Sequence, residues 1–270
     1  GSEMCIRDSF KPIKVAGSDM QAKILKFLRE VMNYALEKED ITKNTAKAKF
    51  LTRVFKKSKP LIDPLMADDA SRFLQEVEKL ALGYFKVSLL LLLNTGMRPE
   101  EMLAIRVGNI IFGEEETLIK ITSAIDHDGK EIREYPKSDA SRRSVPVDEY
   151  TAEVLKQWID LKSSLMRELG FKPSMSMLVC GPEMAPRTYQ SWHRDWLKFA
   201  ADASFKGVRP YALRHTFATL NLANGENIKT VSVLMGHASS AYTLDLYAGY
   251  VPNTGIGIGV RYMNFLRAAA

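Results

Sequence analysis

The segment spanning residues 209–250 constrains the fold most, because glycines divide it into short helical stretches. Residue patterns predict helices over residues 212–224 and 228–235. Gly225 and Gly236 follow their ends, where glycine commonly terminates a helix. This part of the chain is therefore expected to form one helical subdomain.

The same segment carries side chains suited to covalent chemistry on a phosphodiester. Arg214, in Leu-Arg-His-Thr-Phe-Ala, is a planar and permanently charged phosphate ligand. His237 follows Gly236 and offers a second donor, and Tyr247 is a candidate oxygen nucleophile. Each residue alone is weak evidence, because a Gly-His pair usually marks a helix end and such a tyrosine usually packs in a core. A second arginine and a lysine elsewhere are needed to complete the set.

A second arginine occurs at a predicted helix start, in Thr-Gly-Met-Arg-Pro-Glu-Glu after the apolar run at residues 89–93. Pro99 suits the first helical position, and Glu100 and Glu101 suit the first turn, where the helix dipole favours acids. Arg98 is therefore expected at the mouth of a helix. The alternative is that Arg98 only pairs with a nearby carboxylate.

A lysine lies in a predicted hairpin over residues 135–147, Tyr-Pro-Lys-Ser-Asp-Ala-Ser-Arg-Arg-Ser-Val-Pro-Val. This pattern predicts a strand, a tight turn and a second strand, with Lys137 at the turn. Taken alone, a lysine in such a turn usually faces solvent.

In this order and at these separations, five residues resemble the catalytic set of the tyrosine recombinase (phage integrase) family. They are Arg98, Lys137, Arg214, His237 and Tyr247. Residues 95–101 resemble its first arginine box, residues 136–146 its hairpin lysine segment, and residues 213–218 and 235–237 its second box. The resemblance covers approximately residues 59–250 and is closest in style to integrases of phages and conjugative transposons.

The resemblance implies a site-specific recombinase or integrase that acts on double-stranded DNA. Tyr247 would attack a phosphodiester and form a 3′-phosphotyrosyl intermediate. Arg98 and Arg214 would bind the non-bridging oxygens, and His237 would donate a further hydrogen bond. Lys137 would protonate the leaving 5′ oxygen. Because the new ester is close in energy to the old one, no ATP, metal or other cofactor is expected.

Tyr211 departs from the family pattern, which most often has histidine three residues before the second arginine. A phenol is a poor base near neutral pH. Either Tyr211 holds the phosphate or Tyr247 by hydrogen bonds and the reaction is slower, or water or His237 manages the proton. Tyr211 is therefore expected to belong to the catalytic site.

The fold class is expected to be mainly α with a small antiparallel β-sheet (α+β). It corresponds to the tyrosine recombinase catalytic-domain fold, preceded by a partial helical core-binding domain. Alternating patterns predict strands over residues 118–124, 131–135 and 143–147. Asp148 is expected to cap a long helix, and Asp68 to cap a helix that runs to residue 80.

Three parts are expected along the chain. Residues 1–17 are interpreted as a tag or non-native leader, expected to be disordered. Residues 18–58 are interpreted as a remnant of the core-binding domain with a basic linker, and residues 59–270 as the catalytic domain with a C-terminal tail.

Several basic and amide side chains are candidates for DNA contact. Between residues 43 and 59 there are seven lysines and arginines and no acid. A helix predicted over residues 188–199 carries side chains able to read base edges, although ordinary helix surface around a buried Trp192 is an equal alternative. The predicted contacts are Lys43, Lys47, Arg142, Arg143, Arg187, Gln190 and Arg194.

Composition agrees with a DNA partner. The formal net charge is +6 and the isoelectric point is about 9.1. The two cysteines have no metal-ligand or disulfide spacing, so a reducing compartment is expected. The apolar run at residues 87–93 is too short to span a membrane, and no signal peptide is recognised, so a cytoplasmic location in a bacterial cell or phage-infected host is expected.

The sequence leaves two other functions open. Residues 227–250 could form a helix-turn-helix module without catalysis, and a tyrosine-type topoisomerase would share the chemistry. The resemblance implies a tetramer on DNA, and DNA-bending accessory proteins are candidate partners. Without DNA the chain is expected to be a monomer. The apolar tail at residues 256–270 is the candidate contact between subunits, with packing on its own domain as the alternative.

Overall fold

A computed structural model describes residues 18–49, 51, 62–126, 131–134, 142–182, 186–251 and 258–268. The chain divides into two compact units, residues 1–61 and 62–270. The expected leader at residues 1–17, most of the basic linker and the predicted turn with Lys137 lie outside the described residues.

The first unit contains helix α1, Ser18–Glu37, and a 3₁₀ turn, Thr45–Lys47. Asn44 joins them, because its side chain accepts from the Ala46 amide and donates to the Arg29 carbonyl at 3.1 Å. Leu25 and Leu51 form a small buried cluster. Several large apolar side chains of α1 are exposed; they include Met20, Phe27, Val31 and Tyr34.

The second unit is mainly helical. Its α-helices are α2, Ala67–Glu78; α3, Tyr84–Thr95; α4, Pro99–Leu103; α5, Glu149–Glu168; α6, Tyr189–Asp202; α7, Tyr211–Ala223; α8, Ile228–Met235; α9, Ser240–Tyr247; and α10, Ile258–Ala268. Short 3₁₀ turns cover Val107–Asn109 and Ala248–Tyr250. In the described parts of the chain, no helix combines the length and apolar character needed to cross a membrane.

The core of this unit forms around α3, which is apolar on nearly every side. Leu89 and Leu91 have no exposed surface. Phe73 of α2 packs edge-on against Phe199 of α6, with ring centroids 5.5 Å apart. Trp192 is fully buried and donates from Nε1 to the Ser88 hydroxyl at 2.8 Å, so the indole N–H buried in this core is satisfied.

Two small antiparallel sheets lie between α4 and α5 in sequence. Strands β1, Ile110–Phe112, β2, Thr117–Ile121, and β5, Arg143–Val147, form one sheet in the order β1-β2-β5. Strands β3, Ser123–Ile125, and β4, Ile132–Glu134, form the other. The expected fold class, mainly α with small antiparallel sheets, is confirmed.

The described strands refine the sequence prediction. The single strand predicted over residues 118–124 is two strands, because β2 pairs with β5 while β3 pairs with β4. The change of partner occurs at Thr122. The predicted strand at 143–147 has the expected bounds, with Arg143, Val145 and Val147 buried on one face.

The two predicted N-caps have different outcomes. Asp148 caps α5, since its side chain accepts from the Thr151 amide at 3.3 Å. The prediction for Asp68 is wrong, because Met66 occupies the N-cap position of α2. Asp68 instead lies in the first turn of α2, where a carboxylate interacts favourably with the helix dipole but does not cap the helix.

Candidate active site

Arg214, near the start of α7, lies between the C-terminal ends of two other helices. Its Nη1 donates to the carbonyl of Gly96 at 2.7 Å, directly after α3, and its Nη2 donates to the carbonyl of Met235 at 2.6 Å, the last residue of α8. Carbonyls at a helix C-terminus lack helical partners and carry partial negative charge. The guanidinium therefore satisfies two helix ends at once.

Glycines permit this arrangement. Gly96 ends α3 with φ 62°, and Gly236 ends α8 with φ 64°, both in the left-handed region that glycine adopts without steric cost. A Cβ at Gly96 would also overlap the ring of Phe217 on α7. The close approach of α3 and α7 at this point brings Arg214 within reach of the α3 carbonyl.

Arg98 precedes α4 and contacts the buried carboxylate of Glu101. Its Nη1 donates to Glu101 Oε1 at 2.9 Å and its backbone amide donates to Oε2 at 2.8 Å. The Arg98 side chain remains 35% exposed. The expectation that Arg98 lies at the mouth of a helix agrees with this position, and so does the alternative that it pairs with a local carboxylate.

Arg143, at the start of β5, pairs with the same carboxylate. Its Nη1 and Nη2 lie 3.1 and 2.7 Å from the two oxygens of Glu101, and its Nε donates to the carbonyl of Leu234. Burial alone would raise the pKa of Glu101, but the hydrogen bond and charge of Arg143, with the charge of Arg98, lower it to about 2. Glu101 is therefore an ionised group buried between two arginines.

The burial of Arg143 contradicts its predicted contact with DNA. Its side chain is only 3% exposed, because the inward face of β5 begins at this residue, opposite Ile121 of β2. Arg142, its neighbour in sequence, is exposed. Arg143 thus acts inside the domain by holding Glu101.

His237 follows Gly236 and lies among these arginines. Its Nδ1 is 2.7 Å from the Thr243 hydroxyl of α9, and the Tyr242 ring meets it edge-on. Burial, followed by the charges of Arg214, Arg98 and other neighbours, lowers the pKa of His237 to about 3. The imidazole is therefore neutral near pH 7.

Tyr247 ends α9 and is completely buried in a small apolar cluster with neighbours on α7 and α8. Its hydroxyl lies 2.7 Å from Nδ1 of His215 on α7. Burial raises the pKa of Tyr247 to about 12, although the charge of Arg214 acts in the opposite direction. The phenol is therefore protonated at neutral pH and lies within the electrostatic reach of the Arg214 guanidinium.

Tyr211 faces a different partner. Its hydroxyl donates to Oε2 of Glu100 at 3.1 Å, and burial together with Glu100 raises its pKa. In this structure the hydrogen bond of Tyr211 is made to Glu100 and not to Tyr247. Sequence reasoning passed over His215, although its position four residues after Tyr211 places both on one side of α7.

The residues predicted to contact DNA are placed in different settings. Lys43 and Lys47 are exposed in the first unit, and Gln190 and Arg194 are exposed on α6. Arg187 is partly buried, because its guanidinium lies over the Tyr84 ring, 3.9 Å from the centroid. Lys137 lies outside the described residues.

The structure brings Arg98, Arg214, His237 and Tyr247 into one site and adds Glu101, Arg143 and His215 to it. In the parts of the chain that the structure describes, no group of three or more His, Cys, Asp and Glu side chains is arranged as metal ligands.

Residues 64–251 match the model of the phage integrase family. The chain belongs to the phage integrase family. It is 27% identical to the ICEBs1 integrase of Bacillus subtilis (strain 168) over 162 residues, which is 59% of this chain and 43% of the relative. It is 24% identical over 247 residues to a XerC-like tyrosine recombinase of Caldanaerobacter subterraneus, covering 84% of this chain and 61% of the relative.

This phage integrase family chain therefore spans only about half the length of these curated relatives. Among solved structures, it resembles the Tn1549 transposon integrase in complex with circular intermediate DNA, with a TM-score of 0.71 at 19% identity. That alignment covers 98% of this chain and 84% of the other. The likeness confirms the tyrosine recombinase fold.

Proposed function

We propose that this chain is the catalytic part of a site-specific DNA recombinase that cleaves and rejoins DNA through a 3′-phosphotyrosyl intermediate. The observation that carries the proposal is the position of Tyr247, which lies in one buried site with Arg214 and His237. Family membership supports the same reaction class.

Two arginines are suited to bind the scissile phosphate. Attack on a phosphodiester adds negative charge to the non-bridging oxygens, and preorganised cations stabilise that charge. Arg214 is held by two backbone carbonyls rather than by a carboxylate, so its positive charge is not cancelled by an acid bonded to it. Burial, with the charge of Arg98, lowers the pKa of Arg214 to about 10, which still leaves it charged at neutral pH.

His237 is suited to donate one further hydrogen bond. A neutral imidazole carries a single N–H, and the Thr243 hydroxyl beside Nδ1 can donate to that nitrogen. In that tautomer the proton resides on Nε2, which becomes the donor to a phosphate oxygen. Lys137 is proposed as the acid that protonates the leaving 5′ oxygen, as the family resemblance implies.

Double-stranded DNA is the proposed substrate. The net charge of +6 supports a polyanionic partner, and the Tn1549 integrase resembling this chain was solved with circular intermediate DNA. Exposed Lys43, Lys47 and Arg142 are proposed to contact the phosphate backbone, with Gln190 and Arg194 on α6 closer to the bases.

The remaining proposals concern organisation. We propose that residues 18–58 are the end of a core-binding domain with its basic linker and that residues 59–270 are the catalytic domain with its tail. The active assembly is a tetramer on two DNA sites formed from monomers, in the cytoplasm of a bacterial cell or phage-infected host. DNA-bending accessory proteins are further candidate partners.

Covalent trapping tests the function. The chain would be incubated with a library of nicked suicide duplexes of randomised sequence, and the DNA in protein adducts that survive denaturation would be sequenced. We expect adducts on a defined sequence for the wild type. Tyr247→Phe should form none while binding that sequence nearly as well, and Tyr242→Phe, an exposed tyrosine on the same helix, should retain them.

The same assay separates the alternatives. A non-catalytic helix-turn-helix protein would bind DNA without any adduct. A topoisomerase would form adducts and relax supercoiled plasmids without exchanging strands between two sites. Adducts that persist in Tyr247→Phe but vanish in Tyr242→Phe would reject the nucleophile assignment.

A further inference from the structure

The proton of Tyr247 needs an acceptor. The pKa of this phenol is raised to about 12 by burial, so the proton must leave as the phenolic oxygen bonds to phosphorus. Tyr211 occupies the position where the family most often has histidine. However, its hydroxyl already donates to Glu100, and its own pKa is raised, so it cannot serve as a base near neutral pH.

His215 lies one helical turn after Tyr211 on the same side of α7. Its Nδ1 is 2.7 Å from the Tyr247 hydroxyl oxygen, within the distance at which a general base can take a proton directly. The two residues are 32 positions apart in sequence and join α7 to α9. Their contact therefore depends on the fold of the site and not on local chain geometry.

The ionisation state of His215 suits this role. Burial, followed by the charges of Arg214 and Arg209, lowers the pKa of His215 to about 4. The ring is therefore neutral at physiological pH and has one nitrogen able to accept a proton. A phosphodiester bound to Arg214 would bring negative charge beside the ring and raise its pKa, so DNA binding would make His215 a stronger base.

We propose that His215 is a catalytic residue that orients the Tyr247 hydroxyl and accepts its proton during DNA cleavage. The inference rests on the proposed function, because it assigns a step of that reaction. It also gives the departure at Tyr211 a physical account, in which the base lies one turn further along the same helix.

The Tyr247 oxygen forms a bond to phosphorus as its proton moves to Nδ1 of His215, and the bond between phosphorus and the 5′ oxygen breaks. That oxygen takes a proton from Lys137, which leaves a neutral lysine and an imidazolium. In the rejoining step a 5′ hydroxyl attacks phosphorus and returns a proton to Lys137, while the departing Tyr247 oxygen recovers its proton from His215.

Two substitutions separate proton transfer from simple positioning. In His215→Asn a polar δ atom can occupy the place of Nδ1 and keep a hydrogen bond, but the amide cannot take a proton. His215→Phe keeps an aromatic ring but can neither form the hydrogen bond to Tyr247 nor take a proton. Single-turnover cleavage of a trapped substrate should fall by about 100-fold or more in both variants, the usual scale of general base catalysis. Gln157→Asn, which places an asparagine at an exposed position on α5, should retain the wild-type rate.

The acidity of the nucleophile provides a readout that a structural role would not change. Site-specific replacement of Tyr247 by a fluorinated tyrosine lowers the pKa of the phenol and weakens its need for a base. The rate loss caused by His215→Asn should therefore shrink with the fluorinated nucleophile. The rate of the wild type should also fall at acid pH, where Nδ1 is protonated, and this decline should be absent in His215→Asn.

Nitrogen NMR tests the hydrogen bond without DNA. We expect the proton of His215 on Nε2, with Nδ1 accepting from Tyr247, and a shift of the Nδ1 resonance in Tyr247→Phe. A proton on Nδ1 would overturn the proposal. So would unchanged cleavage by His215→Asn and His215→Phe, or faster cleavage, which would indicate that the contact restrains Tyr247. Absence of any adduct from the wild type would instead reject the proposed function.

Discussion

The carboxylate of Glu101 holds two arginines from different elements, Arg98 before α4 and Arg143 at the start of β5. Removing one member of a buried ion pair leaves the other charge uncompensated. The resulting loss of folding free energy is larger than the net stabilisation by the intact pair relative to apolar side chains of similar size. Glu101 therefore fixes the position of Arg98 and keeps Arg143 inside the domain.

Glu101→Gln should lower the free energy of unfolding at pH 7 by about 3–5 kcal/mol, the usual cost of breaking a buried pair. The folded-state pKa of Glu101 is about 2, below its ordinary value of 4.5. Its ionisation therefore stabilises the wild type above about pH 4.5, and this stabilisation is lost as pH falls toward 2. Urea unfolding at several pH values should show the difference between variant and wild type shrinking in acid.

The matched control is Glu116→Gln, on an exposed loop between β1 and β2. Its effect on the free energy of unfolding should stay within about 0.5 kcal/mol, as is usual for surface changes. A difference between Glu101→Gln and wild type that stays constant from pH 7 to pH 2 would mean that the Glu101 charge contributes nothing to folding.

At the scale of elements, the position of Arg214 depends on how helices α3 and α8 end. Both helices are followed by a glycine with a left-handed backbone conformation. At each of these ends a backbone carbonyl accepts a hydrogen bond from Arg214. The site is therefore sensitive to substitutions that change how these helices end, even though neither Gly96 nor Gly236 has a side chain to contribute.

Gly96→Ala and Gly225→Ala form a matched pair. Both glycines have positive φ, 62° and 93°, but an added Cβ overlaps Phe217 only at Gly96 and meets nothing within 4 Å at Gly225. Gly225→Ala should cost about 1–2 kcal/mol of unfolding free energy from backbone strain alone. Gly96→Ala should cost more and should also reduce cleavage, because the carbonyl that binds Arg214 moves. Equal effects on stability and cleavage would contradict the proposed crowding at Phe217.

Helix α6 carries the prediction on base reading. Gln190 and Arg194 are exposed one turn apart, so both can face one groove of DNA. Gln190→Ala and Arg194→Ala should each weaken binding to the selected sequence by about 1–3 kcal/mol and relax preference at one or two base positions. Comparing sequences trapped by each variant would measure this. Unchanged preference and affinity in both would leave α6 as ordinary surface.

The order of motifs made much of this fold and site predictable. Short-range rules placed Arg98 before a helix, Asp148 at an N-cap and Gly236 at a helix end. The orientation of Arg143 was not predictable, because it depends on β5 pairing with β2 at Ile121. His215 was also missed, since its contact with Tyr247 arises only when α9 packs against α7.

For the whole molecule, the C-terminal helix α10 raises the question of assembly. Its described side chains include Val260, Tyr262, Met263 and Phe265, all exposed. A helix of this length is marginal in water unless it packs against another surface. Exposed apolar side chains of this kind support a role in contact between subunits.

Deleting residues 262–270 should therefore impair assembly of the proposed tetramer on DNA while sparing binding to a single site. Mass photometry of the chain with one-site and two-site DNA would distinguish the two effects. The full chain should be monomeric without DNA. A matched control would replace Asn264, which is exposed and polar, by serine and should assemble normally. Normal tetramers and normal recombination by the truncated chain would exclude the tail as the contact.

Arg214 combines a structural role with its proposed catalytic role. The same guanidinium proposed to bind phosphate also ties the ends of α3 and α8 together, so its loss would weaken the fold as well as the reaction. Replacement of Tyr247 by phenylalanine would remove only the hydroxyl and would leave the packing of the ring nearly unchanged. In a lineage that no longer needed recombination, drift would therefore remove that hydroxyl first and retain the arginine. The presence of Tyr247 is then a better indicator of an active enzyme than the presence of Arg214.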